Sequence, residues 1–344
     1  MDDDATVVMR PCPPGRRRRP LALALPAAAV LLVLAGGIGL MLRRHAPPPQ
    51  PLVTAPPVTA PPVTAPPVTA PPVAAPAEAP PVAPPPAIAA ADEAAIAAAV
   101  PEQLTFYRFA AAPAVLVLDF ASLAEQGAML NRVAALIEKA GLPRDRVLDD
   151  AAMAAAIRAE GDTAETFYYG HDYPAAALVR FFALADAGQV RLDAEEERLR
   201  TLLRGLGWFA TPTPAAALIS IPRAGASAEI DQAARATMLH HELSHGVFFT
   251  DPAYAAYVRG FWNGVLTPAE RDAVRHFLGS EDYDTADETL MLNEMQAYLM
   301  FTDDARFFQP ANIGMTPARR AELRAAFAQG APPGWPRTTL LGTH

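Results

Sequence analysis

The chain begins with one long apolar run that has strongly basic flanks. Leu21 to Leu42 is a stretch of 22 residues without a charged side chain, and as a helix it spans about 33 Å, enough to cross a bilayer core. Arg16 to Arg19 precede the run, and Arg43 and Arg44 follow it. Cytoplasmic flanks carry the excess of basic residues. The pattern therefore predicts a cytoplasmic tail over 1–20 and a single-pass transmembrane anchor over 21–42.

This orientation places the remainder of the chain in the periplasm or at the cell surface, tethered to the inner, cytoplasmic membrane. A cleaved signal peptide is the alternative reading of the same segment. Against it, the apolar run is long for a signal peptide, and Met41 to Arg44 offers no small-residue cleavage site. The sequence favours an uncleaved anchor.

The segment 43–90 consists largely of Pro, Ala, Val and Thr, and Val-Thr-Ala-Pro-Pro repeats from Val53 to Pro72. Such a composition cannot bury a core. Dense proline favours the polyproline II conformation, which rises about 3.1 Å per residue. We expect a semi-rigid stalk that holds the following domain away from the membrane.

From residue 91 onward the apolar pattern becomes that of a globular protein. In the part 91–214, the apolar run from Val115 to Phe120 predicts a buried strand. Ser122 with Glu125 reads as a capping box that opens a helix ended by Gly141, and Asp193 with Glu196 caps another helix. This part is expected to be α/β.

The part 215–344 begins with a predicted strand, Ala217 to Ile221, and is otherwise expected to be helical. Ser227 to His245 lacks internal Pro and Gly and is followed by Gly246, a plausible helix end. Thr285 with Glu288 predicts a capping box and a helix through Phe301. Further helices are indicated where an N-cap residue precedes proline, at Asp251-Pro252, Thr267-Pro268 and Thr316-Pro317. The predicted fold class is α+β and predominantly helical.

Charge and cysteine content narrow the function classes. Residues 91–344 carry 21 basic against 33 acidic side chains, so they lack the basic surface that nucleic-acid binding requires. Cys12 is the only cysteine and precedes the apolar run. A metal in the globular part must therefore be bound by histidines and carboxylates.

His241-Glu242-Leu243-Ser244-His245 has the spacing H-E-x-x-H within the predicted helix. Positions four apart share one helix face, so His241 and His245 can converge on one Zn²⁺. Glu242 lies one residue round, where it can accept a proton from an attacking water and pass it to a leaving amine. The alternative, a surface helix with two solvated histidines, is disfavoured by the apolar flanks.

A catalytic zinc has three protein ligands and one open position. Asp251 is one candidate for the third ligand, but an N-cap role before Pro252 already explains it. Glu294 is the better candidate, because it lies about two turns into the predicted helix that ends at Phe301 and a rigid helix can direct its carboxylate at the histidines.

An H-E-x-x-H helix followed by a helix bearing Leu292-Asn293-Glu294-Met295-Gln296-Ala297 resembles the gluzincins, the thermolysin-like and M1-aminopeptidase-like zinc peptidases. The resemblance covers about residues 215–301. It implies a zincin-like catalytic core over 215–344 and Glu294 as the third zinc ligand. It also implies that the strand Ala217 to Ile221 is the edge strand on which an extended peptide pairs.

The sequence departs from the gluzincin pattern at two points. There are 48 residues between His245 and Glu294, more than in the best-known members. Tyr298 stands one turn after Glu294, where thermolysin-like enzymes have an acidic residue that supports a zinc-binding histidine. The sequence therefore does not identify the residue that supports the zinc-binding histidines in this chain.

Two residues are candidates for donating a hydrogen bond to an oxyanion. One is Tyr283, and the other is His171, which belongs to the cluster Phe167 to Tyr173. A cluster packed as an aromatic loop is the alternative for the second group. His240 points about 100° away from His241 and is expected to pack rather than ligate.

These observations predict a membrane-anchored zinc metallopeptidase that acts on peptide or protein substrates. One alternative is a non-enzymatic envelope adaptor, since an anchor followed by a proline-rich stalk also resembles TonB-like proteins. Another is a zinc-binding pseudoenzyme. Retention of Glu242, the base, argues against the pseudoenzyme.

Overall fold

A computed structural model describes residues 88–281 and 283–342. The predicted anchor and nearly all of the predicted stalk lie outside these ranges. Within them, no helix has the length and apolar character needed to cross a membrane. The predicted end of the stalk is corrected slightly, because Ala89 and Ala90 already belong to the first strand of the globular domain.

Five strands form one mixed sheet. They are β1 (Ala89–Ala91), β2 (Thr105–Phe109), β3 (Val115–Phe120), β4 (His171–Pro174) and β5 (Ala217–Pro222). Their order across the sheet is β1-β2-β3-β5-β4. The pairs β1 with β2 and β3 with β5 are parallel, whereas β2 with β3 and β5 with β4 are antiparallel.

The rest of the described chain is mostly helical, so the predicted α+β class is confirmed. The helices are α1 (Glu93–Ala98), α2 (Leu123–Ile137), α3 (Asp150–Glu160), α4 (Ala175–Ala187), α5 (Ala194–Gly205), α6 (Gln232–Thr250), α7 (Pro252–Gly264), α8 (Pro268–Ser280), α9 (Glu288–Gln296), α10 (Pro317–Gly330) and α11 (Trp335–Leu341). A π turn, Ala297–Phe301, continues α9, and a short 3₁₀ helix spans Pro310–Ile313.

The sheet separates two hydrophobic cores, because successive side chains of a strand point to opposite faces. On β3, Val115 and Val117 pack with α6 and the C-terminal helices. Leu116 and Leu118 pack on the other face, with α2, α4 and α5. Since β5 lies between β3 and β4, the predicted parts 91–214 and 215–344 share one sheet.

The expectation that Ala217 to Ile221 forms the edge strand is wrong. β5 has a neighbour on each side, and β4 is the strand at this edge of the sheet. Every residue of β5 is buried. A near-continuous apolar run is the pattern of a strand covered on both faces, so an interior position agrees with the sequence of β5.

The helix that carries the histidines is displaced from its predicted bounds. It begins after Asp231, whose side chain accepts a hydrogen bond from Ala234 N at 2.8 Å, and it continues through Gly246 to Thr250. A Cβ at Gly246 would lie 2.7 Å from Val115 Cγ1. Gly246 therefore permits close packing of α6 on β3 rather than ending the helix.

The start of α9 also differs from the prediction. Asp287, not Thr285, is its N-cap and accepts a hydrogen bond from Leu290 N at 3.0 Å. By contrast, the predicted N-cap residues Ser122, Asp193, Asp251, Thr267 and Thr316 are confirmed. The helix that follows Ser122 ends at Ile137 rather than at Gly141.

Candidate metal centre

The two histidines of the H-E-x-x-H segment face each other inside the protein. His241, Glu242 and His245 are fully buried on α6, and the two Nε2 atoms are 3.0 Å apart. Two ligands on a tetrahedral zinc, each at 2.0–2.1 Å, lie about 3.3 Å from each other. The observed pair is close to that spacing, so only a small movement would admit the ion.

Glu294 completes the group. Its Oε1 lies 3.3 Å from His245 Nε2, and one potential ligand atom from each of His241, His245 and Glu294 lies within 4.8 Å of the others. All three residues are fully buried. The donor set of two imidazoles and one carboxylate suits zinc. The structure thus brings together the three predicted ligands.

Asp251 does not join these residues. Its carboxylate Oδ1 accepts hydrogen bonds from Ala253 N at 2.9 Å and Tyr254 N at 3.2 Å, at the start of α7. This is the N-cap arrangement expected from the following proline. The geometry therefore favours Glu294 over Asp251 as the third ligand.

Hydrogen bonds fix α9 against α6 near the histidines. Gln296 Nε2 donates to Ser244 Oγ at 3.0 Å, and Ser244 Oγ donates to the carbonyl of His241 at 2.6 Å. Tyr254 on α7 donates to Gln296 Oε1 at 2.7 Å. These contacts place Glu294 beside the histidines, although 48 residues of chain separate it from His245.

The electrostatics of the cluster reflect its complete burial. Burial lowers the pKa of His245 to about 4 and that of His241 well below its usual value. Burial also raises the pKa of Glu294 well above its usual range, and the nearby Glu242 and Glu138 add to the rise. Neutral imidazoles are the form that binds metal. A divalent cation would also offset the excess of carboxylates.

Tyr283 lies beside the cluster, as an oxyanion donor must. Its hydroxyl is 3.4 Å from that of Tyr298. Burial raises the pKa of Tyr283 well above its usual value, and the adjacent Tyr298 and Glu294 contribute to this. Tyr283 therefore stays protonated at neutral pH and can donate a hydrogen bond.

His171 is placed elsewhere. It pairs in register with Ser220 of β5, whose Oγ lies 2.7 Å from His171 Nδ1, and Gln126 of α2 is 3.2 Å from the same nitrogen. This is the α2 face of the sheet, opposite α6. Burial lowers the pKa of His171 to about 3. The structure does not bring its ring together with His241 and His245.

Sequence reasoning missed Asp172. Because it follows His171 in β4, its side chain points to the opposite face, toward α6. Potential ligand atoms of Asp172, Glu242 and His245 lie within 4.8 Å of one another, and all three residues are fully buried. The sequence pattern did not predict a strand at His171–Pro174, so the alternation that directs Asp172 toward α6 could be seen only in the structure.

Glu138 was also missed. It follows the last residue of α2 and is 2% exposed. Burial and the nearby Glu242 raise the pKa of Glu138, and Glu138 in turn adds to the rise in the pKa of Glu294. Nothing in the local sequence marks a glutamate after a helix end as buried. Its place near α6 is decided by the packing of α2 on the sheet.

His240 packs rather than ligates, as expected. Its Nδ1 lies 2.6 Å from Glu93 Oε1, and its ring contacts Phe301 and Trp335. Trp335 Nε1 also donates to Glu93 Oε2 at 2.9 Å. His240 thus joins α1 and α11 to the helix that carries the candidate ligands.

Comparison of the chain with protein families, with curated proteins and with solved structures found no match.

Proposed function

We propose that this protein is a membrane-anchored, zinc-dependent metallopeptidase with a gluzincin-type ligand set and a zincin-like core. The observation that carries the proposal is the convergence of His241, His245 and Glu294 in one buried group, with Glu242 on the same helix. The 48-residue separation of Glu294 from His245 makes this convergence a property of the tertiary structure.

Each residue has a distinct role in the proposed reaction. His241, His245 and Glu294 would hold the zinc, which when bound polarises water and the scissile carbonyl. Glu242 would accept the proton of the attacking water and deliver it to the leaving amine. Tyr283 would donate a hydrogen bond to the developing oxyanion. Of the two predicted oxyanion donors, its position beside Glu294 favours it over His171.

The adaptor and pseudoenzyme alternatives are less well supported. Burying several carboxylates and imidazoles without their ligand destabilises a fold, and an adaptor has no use for such a cluster. A pseudoenzyme would bind zinc without requiring Glu242, so the role of Glu242 discriminates between the two zinc-binding functions.

The deciding experiment compares Glu242→Gln with the wild-type full-length protein in detergent. The variant keeps both histidines and the shape of the side chain but cannot accept a proton. We expect wild-type zinc content and a loss of hydrolysis of an unstructured protein, such as casein, by orders of magnitude. Glu102→Gln, on the exposed surface, is the matched control. A wild-type protein that binds zinc but cleaves nothing in a broad peptide mixture would favour the pseudoenzyme.

The proposed location is the inner membrane, with the catalytic domain on its outer side. The support is the basic flank of the apolar run over 21–42, which lies outside the described residues. Protease added to intact spheroplasts should degrade the domain and spare a cytoplasmic marker. Protection of the domain, with digestion only after lysis, would reverse the orientation.

A further inference from the structure

We propose that Thr302 is the positioning residue that sets the tautomer and orientation of His241. This proposal rests on the proposed metal centre. In thermolysin-like enzymes an acidic residue supports a zinc-binding histidine, and this chain has Tyr298 at that position, so another residue must provide the support. The side chain of Thr302 is fully buried, and its Oγ1 lies 2.8 Å from His241 Nδ1.

The direction of this hydrogen bond follows from the second partner of the threonine. Thr302 Oγ1 donates its only proton to the carbonyl of Ala297 at 3.0 Å. A hydroxyl has one donor and two acceptor lone pairs, so the contact with His241 is one in which the ring Nδ1–H donates. In a neutral imidazole, Nε2 then carries the lone pair. That atom faces His245 Nε2 at 3.0 Å, where a metal ion would bind.

The π turn places Thr302 at this position. Eight residues along a regular α-helix correspond to a rotation of about 800°, which would leave Thr302 about 80° away from the face that carries Glu294. The turn Ala297–Phe301 holds one residue more than an α turn. The extra residue reduces this rotation and returns Thr302 to the side of Glu294. One continuous segment therefore supplies both a ligand and the acceptor that orients another ligand.

Tyr298 occupies the position that is acidic in thermolysin-like enzymes, and it contacts His241 differently. Its ring meets the imidazole edge to face, with centroids 4.9 Å apart. Such a contact restricts the tilt of the ring but accepts no proton from Nδ1. Thr302 provides that acceptor without adding a further negative charge to a cluster that already contains Glu242 and Glu294.

The test uses the full-length protein in detergent, with selective ¹⁵N labelling of its seven histidines. In metal-free wild-type protein at pH 7.5, we expect the His241 resonances to report protonation at Nδ1. In Thr302→Val, which removes the hydroxyl and keeps the shape, we expect Nε2–H or a mixture of tautomers. Zinc affinity of this variant should fall 10- to 100-fold. Thr302→Ser retains the hydroxyl and should preserve both properties.

Thr250→Val is the matched control, since the Thr250 hydroxyl donates to the carbonyl of Gly246 at 2.8 Å on the same helix as His241. It should leave the tautomer and the zinc affinity unchanged. The proposal is overturned if Thr302→Val keeps the Nδ1–H tautomer and wild-type affinity. It is also overturned if Thr302→Ser loses affinity as strongly as Thr302→Val. Neither measurement depends on substrate, so an absence of peptidase activity would leave this result independent.

Discussion

Two buried polar clusters on α6 differ in how their charges are balanced. Near the start of the helix, the guanidinium of Arg235 binds both carboxylate oxygens of Asp119, each at 2.8 Å, and donates to the carbonyls of Pro222 and Ile96 at 2.7 Å. Both side chains of the ion pair are fully buried. Each charge in this cluster has an opposite charge within the protein.

About 9 Å further along the helix axis, the second cluster is equally buried but contains an excess of acid. Its histidines are held neutral by burial, and burial, together with the nearby Glu242, disfavours the ionised form of Glu294 and so raises its pKa. Burial alone therefore does not identify a functional cluster. The difference is that the first cluster pairs its carboxylate with a guanidinium of the chain, whereas in the second cluster the proposed zinc would supply the positive charge.

The largest expected effect concerns the second cluster. Glu294→Ala removes one of the three proposed ligands and much of the charge that would offset the ion, so zinc affinity should fall more than 100-fold and the proposed activity should be lost. Asp251→Ala should leave zinc affinity unchanged and cost only about 1 kcal/mol of stability, because Asp251 caps α7. Competition with a chromogenic chelator measures both affinities. Loss of zinc from the Asp251 variant alone would contradict the ligand assignment.

In the metal-free protein, replacing a carboxylate by an amide should lower the free energy of unfolding at the first cluster and raise it at the second. Asp119→Asn leaves Arg235 buried without its counter-charge, and should reduce the free energy of unfolding by about 3–5 kcal/mol. Glu294→Gln removes a carboxyl group whose ionised form burial and the nearby Glu242 disfavour, and should raise the free energy of unfolding of the metal-free protein. Urea unfolding in the presence of chelator measures both changes. Equal destabilisation by the two variants would refute the distinction between the clusters.

A smaller effect is expected at His171. This buried side chain differs from both clusters, because it is a polar group that stays neutral without a charged partner or a proposed metal. Its pKa is about 3 in the fold, against about 6.5 in an unfolded chain. Between these values the unfolded chain binds more protons, so stability falls as the pH is lowered through this range. His171→Gln should remove this dependence and reduce the loss between pH 7.5 and pH 5 by about 2 kcal/mol. Urea unfolding of the metal-free proteins at the two pH values tests it, and an unchanged loss would show that His171 is not the group responsible.

Local signals predicted much of the fold. The apolar runs of β3 and β5 and the caps at Ser122, Asp193 and Thr267 were confirmed because they depend on neighbouring residues. The errors arose where distant residues intervene. Gly246 reads as a helix end, but packing against Val115 makes it an interior residue of α6.

The sequence by itself determined that His241 and His245 share a helix face, since four-residue spacing fixes this for any α-helix, and it suggested Glu294 through a second helical segment. Only the tertiary structure decided that Glu294 reaches the histidines and that Asp251 does not. It also determined that His171 points away from α6 and that Thr302, directly after the π turn, lies beside His241. These outcomes depend on strand order, on strand register and on helix packing between segments far apart in sequence, and no local pattern encodes them.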